Sequence, residues 1–350
     1  MITDPRVFDD EHIPRELVHR HTELEKLARA LDPGWDGAGV DDVLIAGPSG
    51  VGKTVLAKHY LTRATNATSL QWAYVACLGE TTGTILREAL RGLDDTHVPP
   101  NTPVDDVRRG LAGVVDDHAV IILDEADDLP EKDVLDQFAG IAGLSLIVVC
   151  HDRERWTSRL DDQHQTRFRS VIQPDRYSVD ELTDILRPRA RQGLEPNAVG
   201  IGELREIADG SAGVARRGIQ ALRAAAELAA ERGHGSIQEE DVEDCFDRAR
   251  KRIRASNLAS LPFHHQVLYE IIRTEGNPSG HELHRRYDEY AHSIYDGQPL
   301  TPISKRSRRT KLAKLQDYGL VERDESGSNV YYSAADPEIS SAVRLPMIHK

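Results

Sequence analysis

Gly47-Pro48-Ser49-Gly50-Val51-Gly52-Lys53-Thr54 has the residue types and spacing of a phosphate cradle. Its glycines let the backbone curl so that N–H groups point at an anion, and a helix N-terminus behind them adds positive potential. In such a loop Lys53 would reach the β- and γ-phosphates of a nucleotide, and the Thr54 hydroxyl would hold Mg²⁺. A second pattern supplies partner carboxylates. Val120-Ile121-Ile122-Leu123-Asp124-Glu125 is four apolar residues followed by two acids. A strand of this kind buries itself and presents Asp124 beside the metal held by Thr54. Glu125 is then placed to orient or deprotonate an attacking water. Asp127 and Asp128 read as solvated loop charges.

These residues need elements to position them. Asp42-Val43-Leu44-Ile45-Ala46 reads as a buried strand entering the loop, and Val55-Leu56-Ala57-Lys58-His59-Tyr60 as a helix leaving it. Strand candidates are 43–46, 70–76, 119–124 and 145–150, with helices at 16–31, 53–64, 82–93, 103–116 and 131–140. Short apolar strands separated by helices predict an α/β fold with a mostly parallel sheet covered on both faces. From 178 to about 254 the pattern is all helical. Ser178-Val179-Asp180-Glu181 is a capping signal, and helices are predicted over 215–232 and 238–254. After Pro262, helices at 263–274, 279–294 and 304–318 precede a hairpin, 319–323 and 330–333, around a polar turn at 324–329. Three helices and a terminal hairpin is the plan of a winged helix. The expected domains are 1–174 around the phosphate loop, the all-helical 175–256, and 257–350 with the winged-helix plan.

The chain has 350 residues and a formal net charge of −14. Of its 44 basic residues only nine are Lys, and acidic pairs such as Asp9-Asp10, Asp94-Asp95 and Asp161-Asp162 recur. An acidic, Lys-poor surface resembles proteins of salt-loving archaea; an ordinary acidic protein is the alternative. No apolar run approaches a membrane span, and the N-terminus lacks a signal-peptide core. Cys77, Cys150 and Cys245 are scattered, so a reducing cytoplasm is the expected compartment. Charge is uneven: residues 258–350 hold 12 basic and 12 acidic residues, and 301–315 holds six basic and no acidic ones. That stripe is a candidate nucleic-acid surface. Arg306 and Arg309 are the base-edge candidates of a recognition helix. Lys305, Arg308 and Lys311 would meet phosphates, Leu312 and Leu315 would face the core, and Arg323 sits near the hairpin turn. The second basic cluster, 248–254, reads equally as a salt-bridged helix end.

Phe8-Asp9-Asp10-Glu11-His12-Ile13-Pro14-Arg15-Glu16-Leu17-Val18-His19-Arg20 and Arg176-Tyr177-Ser178-Val179-Asp180-Glu181-Leu182-Thr183-Asp184-Ile185-Leu186-Arg187-Pro188-Arg189-Ala190 carry a family resemblance. With the Gly47–Thr54 loop and the Asp124-Glu125 strand, the chain resembles the archaeal Orc/Cdc-type replication initiators over nearly its whole length. These are AAA+ ATPases that bind origin DNA. The resemblance implies an α/β AAA+ domain, a helical lid and a C-terminal winged helix. It implies ATP or ADP with Mg²⁺ as ligands, and double-stranded origin DNA and an MCM-type replicative helicase as partners. The protein would be a monomer in solution, with several copies possible on DNA. The lead-in, with Ile13, would pack by the adenine; Tyr177 and Arg189 fall on the family's nucleotide-contacting tyrosine and arginine. His151 (or Asp152), at the end of Leu146-Ile147-Val148-Val149-Cys150, falls on the first sensor, where the family has an Asn-Asp pair; a capping or solvated His is the alternative. Arg216 falls on the second sensor, an arginine that reaches the γ-phosphate. Gln163 stands where the family carries an arginine that acts in trans, with Arg159 and Arg167 nearby, and Ala76-Cys77 lacks the family's Asn. These departures imply slow hydrolysis used as a switch. Two functions follow: an ATP-controlled origin initiator, or a sequence-specific DNA-binding regulator with a scaffold-like ATPase domain. A ring-shaped motor is disfavoured by Gln163.

Overall fold

Strands that are apolar on both faces need a layer of helices on each side. The computed structural model describes residues 1–31, 41–129, 133–298, 300–327 and 329–346. The first two residues of the helix predicted at 131–140, and residue 328 of the predicted turn, lie outside these. The chain divides into two compact units, Met1–Cys245 and Phe246–Lys350.

In the first unit, helix α1 (His21–Leu31) precedes β1 (Val43–Ala46), α2 (Lys53–Thr65), β2 (Gln71–Ala76), α3 (Thr82–Asp94) and α4 (Val104–Val114). Then come β3 (Ala119–Asp124), α5 (Asp133–Phe138), β4 (Leu144–Cys150), α6 (Arg153–Thr157), α7 (Asp162–Arg167) and β5 (Ser170–Ile172). The strands form one parallel sheet in the order β2-β3-β4-β1-β5. Side chains alternate between its two faces, as the twofold period of a strand requires. Ile121 and Leu123 of β3 join Ile85, Leu86, Leu111 and Phe138 on one face. Val120 and Ile122 join Leu27, Leu56 and Leu61 on the other. Burying a side chain such as Ile122 contributes about 2–3 kcal/mol.

The helix expected at 16–31 starts only at His21, because His19 is left-handed at φ 57° and ends any earlier helical run. The short strand β5 was not among the sequence candidates; its three residues carry too little pattern. The lid helices are α8 (Val179–Gly193), α9 (Ile201–Gly210) and α10 (Ala215–Arg232). Ser178 and Glu181 close the expected capping box at the start of α8.

Helix α11 (Glu239–Ser260) runs past the boundary expected at 256. The second unit then holds α12 (Phe263–Glu275), α13 (Gly280–Tyr295), α14 (Lys305–Asp317) and the antiparallel pair β6 (Val321–Ser326) and β7 (Asn329–Ala334). Its core is Val267, Leu268, Ile271, Ile272, Leu283, Tyr287, Leu312, Leu315 and Leu320, all buried. The hairpin is longer than the sequence suggests. Ser326 pairs with Asn329, and the predicted polar turn at 324–329 is mostly strand. Asp324 and Glu325 are exposed, so no apolar alternation marked them. No helix among the described residues is long and apolar enough to cross a membrane.

Candidate nucleotide site and basic helix

The strand β1 ends at Ala46 and α2 begins at Lys53, so the intervening glycine-rich loop crosses the sheet's C-terminal edge. Pro48 and Ser49 form its exposed tip, and Val51 is buried beneath. Lys53 folds back over the loop and donates from Nζ to Gly47 O at 2.7 Å and Pro48 O at 2.8 Å. Burial pushes its ammonium pKa down, opposed chiefly by the charge of Asp124. A buried cation held only by carbonyls is suited to receiving an anion.

Asp124 lies at the end of β3 with a satisfied carboxylate. Its Oδ2 accepts from Thr54 Oγ1 at 2.8 Å and from Tyr74 OH at 3.1 Å, and its Oδ1 accepts from the Glu125 N–H at 2.9 Å. Thr54 and Asp124 are therefore brought together across 70 residues of sequence, as a shared divalent cation requires. Glu125 is left-handed, φ 54° and ψ 40°, a conformation costing about 1–3 kcal/mol that collects at functional sites. Tyr74 was not singled out in the sequence. Its position on β2 beside β3, Tyr74↔Ile122 in register, puts it diagonal to Asp124. The Lys58 ammonium lies 3.5 Å from the centre of its ring.

At the end of β4, the His151 N–H donates to Asp127 Oδ2 at 2.8 Å, so Asp127 is a bonded residue and not the solvated charge expected. Asp152 caps α6 through Arg155 N–H at 3.0 Å. Gln163 is exposed on α7. The two neighbouring arginines make contacts of different strength, one exposed and one to a buried carboxylate. Arg159 donates to Asp127 O at 2.7 Å, and Arg167 pairs with the buried Asp42 at 2.6 Å. Burial pushes the Asp42 carboxyl up, and Arg167 is the largest influence opposing it.

The lid meets the loop directly. The Arg216 N–H donates to Gly50 O at 3.2 Å. Gly50 has φ 78°, and a Cβ there would lie 2.7 Å from Val214 Cγ1, so only glycine fits. Gly213 is equally constrained: at φ 74°, a Cβ would lie 2.4 Å from Tyr177 O. That glycine lets the start of α10 lie against the segment carrying Tyr177, where Tyr177 N donates to Gly213 O at 3.0 Å. The Tyr177 hydroxyl lies 3.8 Å from where a Gly52 Cβ would be.

Arg20 is the residue that sequence reasoning missed. It is buried and donates to Tyr177 OH at 2.8 Å, Asp175 O at 2.7 Å, Val51 O at 3.3 Å and Glu23 at 3.0 Å, with its guanidinium 3.9 Å over the Tyr177 ring. It ties the loop to the lid. Nothing in its spacing marked it.

Arg189 is buried, which drives its pKa down to about 10. It donates to the carbonyls of Val7 and His12, so it holds the lead-in from the lid side. Gln220 adds a bond to Phe8 O at 2.7 Å. Ile13 is half-buried in the same segment, and the next carbonyl, of Pro14, bonds His59 Nδ1 of α2 at 3.1 Å.

In the second unit, Lys305, Arg306 and Arg309 are exposed on the first turns of α14, and Lys311 is half-buried. Arg308 is a correction to the expected DNA-contacting set. It is buried, with Nε donating to Ile303 O and Nη1 to His284 O, both at 3.1 Å. It also pairs with Asp288 and stacks 3.9 Å from the Tyr287 ring. Its place one turn after Ser304 points it into the α13–α14 interface, where it holds carbonyls instead of phosphates. An open groove of about 430 Å³ beside it is lined by His281, Arg285, Asp288, Glu289 and Lys305. The basic cluster at 248–254 is substantially engaged within its unit: Lys251 pairs with Glu338 at 2.6 Å, Arg250 with Asp247, and Arg254 donates to Gly319 O at 2.9 Å.

An AAA ATPase domain model matches residues 16–149, and a Cdc6 AAA+ ATPase-type lid model matches residues 183–247. ORC1-type DNA replication protein 9 of Halobacterium salinarum is 30% identical, across 98% of this chain and 97% of its own. The structure of the Aeropyrum pernix ORC2 protein, in ADPNP–ADP complexes, superposes with a TM-score of 0.63 at 25% identity, over 95% of this chain and 94% of that one. The A. pernix ORC1 protein in complex with DNA shares the fold, with a TM-score of 0.72 at 22% identity over 95% and 94% of the two chains. The parallel five-stranded sheet is an AAA+ domain and α8–α10 are its lid. By full-length similarity, the chain belongs to the family of ORC1-type DNA replication proteins.

Proposed function

We propose that this chain is an ATP-controlled origin-binding initiator, in which nucleotide state at the 47–54 loop is read by the lid. The observation that supports the reading is the seat of the lid on the loop: the Arg216 N–H bonds Gly50 O at 3.2 Å, and a Cβ on Gly50 would run into Val214 Cγ1. The lid thus touches the same loop whose N–H groups would receive the phosphates. The loop N–H groups and Lys53 would hold the phosphates, Thr54 and Asp124 would hold Mg²⁺, and Tyr177, Arg189 and Ile13 would bound the nucleoside side. The metal supplies charge neutralisation of the phosphates when bound. Glu125 takes the role of orienting water, His151 that of first sensor, and Arg216 that of γ-phosphate arginine. Movement of the lid with nucleotide state is then the switch.

We read the second unit as a winged helix, with α14 as the recognition helix and Lys305, Arg306, Arg309 and Lys311 as its DNA-facing cations. The partners are double-stranded origin repeats and an MCM-type helicase, in the cytoplasm, with several copies on DNA. Gln163 in place of an arginine favours slow turnover, and with it the second reading of a DNA-binding regulator with a scaffold-like ATPase. Occupancy mapping with local unwinding assays separates them. Occupancy at origins with unwinding supports the initiator, whereas occupancy confined to promoters supports the regulator.

A further inference from the structure

The lead-in brings a carboxylate to the arginine that faces the phosphate loop. Arg216 is rooted on the loop through its N–H bond to Gly50 O at 3.2 Å. Its side chain forks onto Asp10, with Nε donating to Oδ1 at 3.0 Å and Nη2 to Oδ2 at 2.6 Å. This two-toothed geometry is the one a phosphate also demands of an arginine. The pair is partly exposed, with side chains 25% and 39% accessible, so it is weak enough to be exchanged.

Asp10 is presented firmly. On either side of it, Arg189 holds the Val7 and His12 carbonyls and Gln220 holds Phe8 O. The neighbouring Asp9 pairs with Arg223 of the same lid helix at 3.3 Å. Residues 7–12 of the lead-in are therefore held by lid residues, which keeps Asp10 beside Arg216.

We propose that Asp10 is a specificity-determining residue of the nucleotide site: it competes with the terminal phosphate for Arg216 and so sets the ratio of ATP to ADP affinity. The inference rests on Arg216 being the γ-phosphate arginine, as proposed above. ADP has no γ-phosphate and leaves the Asp10 pair intact. ATP gains Arg216 only by taking it from Asp10. The pair thus subtracts from ATP binding alone.

The test is the affinity of the full chain for Mg-ATP and Mg-ADP, each displacing a fluorescent ADP analogue, in Asp10→Asn, Arg216→Ala and the double variant. Asp10→Asn keeps the shape and removes the charge. ATP should bind about fivefold tighter, the size expected of a partly exposed pair, and ADP within twofold of the parent. Arg216→Ala should weaken ATP selectively, and adding Asp10→Asn to it should change nothing. Asp9→Asn, at the Arg223 pair, should leave the ratio as in the parent. An unchanged ATP:ADP ratio in Asp10→Asn, or equal tightening of both nucleotides, overturns the competition while Arg216→Ala still reports its phosphate contact. An unchanged ratio in Arg216→Ala overturns the γ-phosphate reading itself.

Discussion

Arg308→Ala separates a structural arginine from the proposed DNA-binding arginines on the same helix. The substitution removes the charged donor from the carbonyls of Ile303 and His284, at about 1 kcal/mol each. It also removes the guanidinium from the Tyr287 face, worth about 2 kcal/mol when desolvated. The Asp288 side chain is 54% exposed, so water replaces that partner and its loss adds little. The expected destabilisation is about 4 kcal/mol, or roughly 20 °C in a unit of this size. Detection can be confined to one unit. All three tryptophans, Trp35, Trp72 and Trp156, precede residue 246, and seven of the ten tyrosines follow it. Arg308→Ala should shift the unfolding transition seen by tyrosine near-UV circular dichroism and leave the tryptophan fluorescence transition in place. Arg306→Ala and Arg309→Ala should move neither transition and should weaken duplex binding. If Arg308→Ala melts like the parent while losing DNA affinity as Arg306→Ala does, the structural assignment is wrong.

Arg167→Ala strands the buried Asp42 carboxylate and should cost about 3 kcal/mol in tryptophan-detected unfolding; a cost under 1 kcal/mol would show the pair to be dispensable. Stability should fall between pH 7.5 and 5.5, because burial lowers the pKa values of His12, His59, His118, His264 and His284 in the folded state. The unfolded chain then binds protons below the ordinary histidine pKa that the folded chain refuses, so stability rises with pH through that window and is lost below it. A melting temperature flat across that range would contradict the burial of these rings. If the acidic, Lys-poor surface is an adaptation to salt, the melting temperature should climb from low to molar KCl as surface repulsion is screened; a steady decline would count against it.

Much of the nucleotide site could be read in the sequence because its parts are local. Gly47–Thr54 is one contiguous loop, and Asp124-Glu125 ends a strand whose four apolar residues announce its burial. The Thr54–Asp124 bond joins the two, since parallel strands β1 and β3 deliver both residues to the same edge of the sheet. What was hidden depends on chain crossings that no period encodes. Arg20 looks like any charge before a helix, yet folding places it among Tyr177, Asp175 and Val51. Tyr74 reaches Asp124 through strand register, and Asp127 reaches the His151 N–H through a turn. Arg308 shows the limit of counting charge: six basic residues between 301 and 315 read as one stripe, but helical rotation sends Arg308 inward and Lys305, Arg306 and Arg309 outward. The same applies to 248–254, where the alternative of a salt-bridged helix end accounts for Lys251, Arg250 and Arg254.

The most direct measurement is the affinity of the full chain for an origin-repeat duplex in saturating Mg-ATP and in saturating Mg-ADP, at fixed salt, with Lys53→Ala alongside. A switch read by the lid predicts that the two nucleotides give affinities differing several-fold, and that Lys53→Ala gives one affinity in both. Equal affinities for the parent in ATP and ADP, or a difference that survives in Lys53→Ala, would contradict control of the DNA-binding unit by the 47–54 loop.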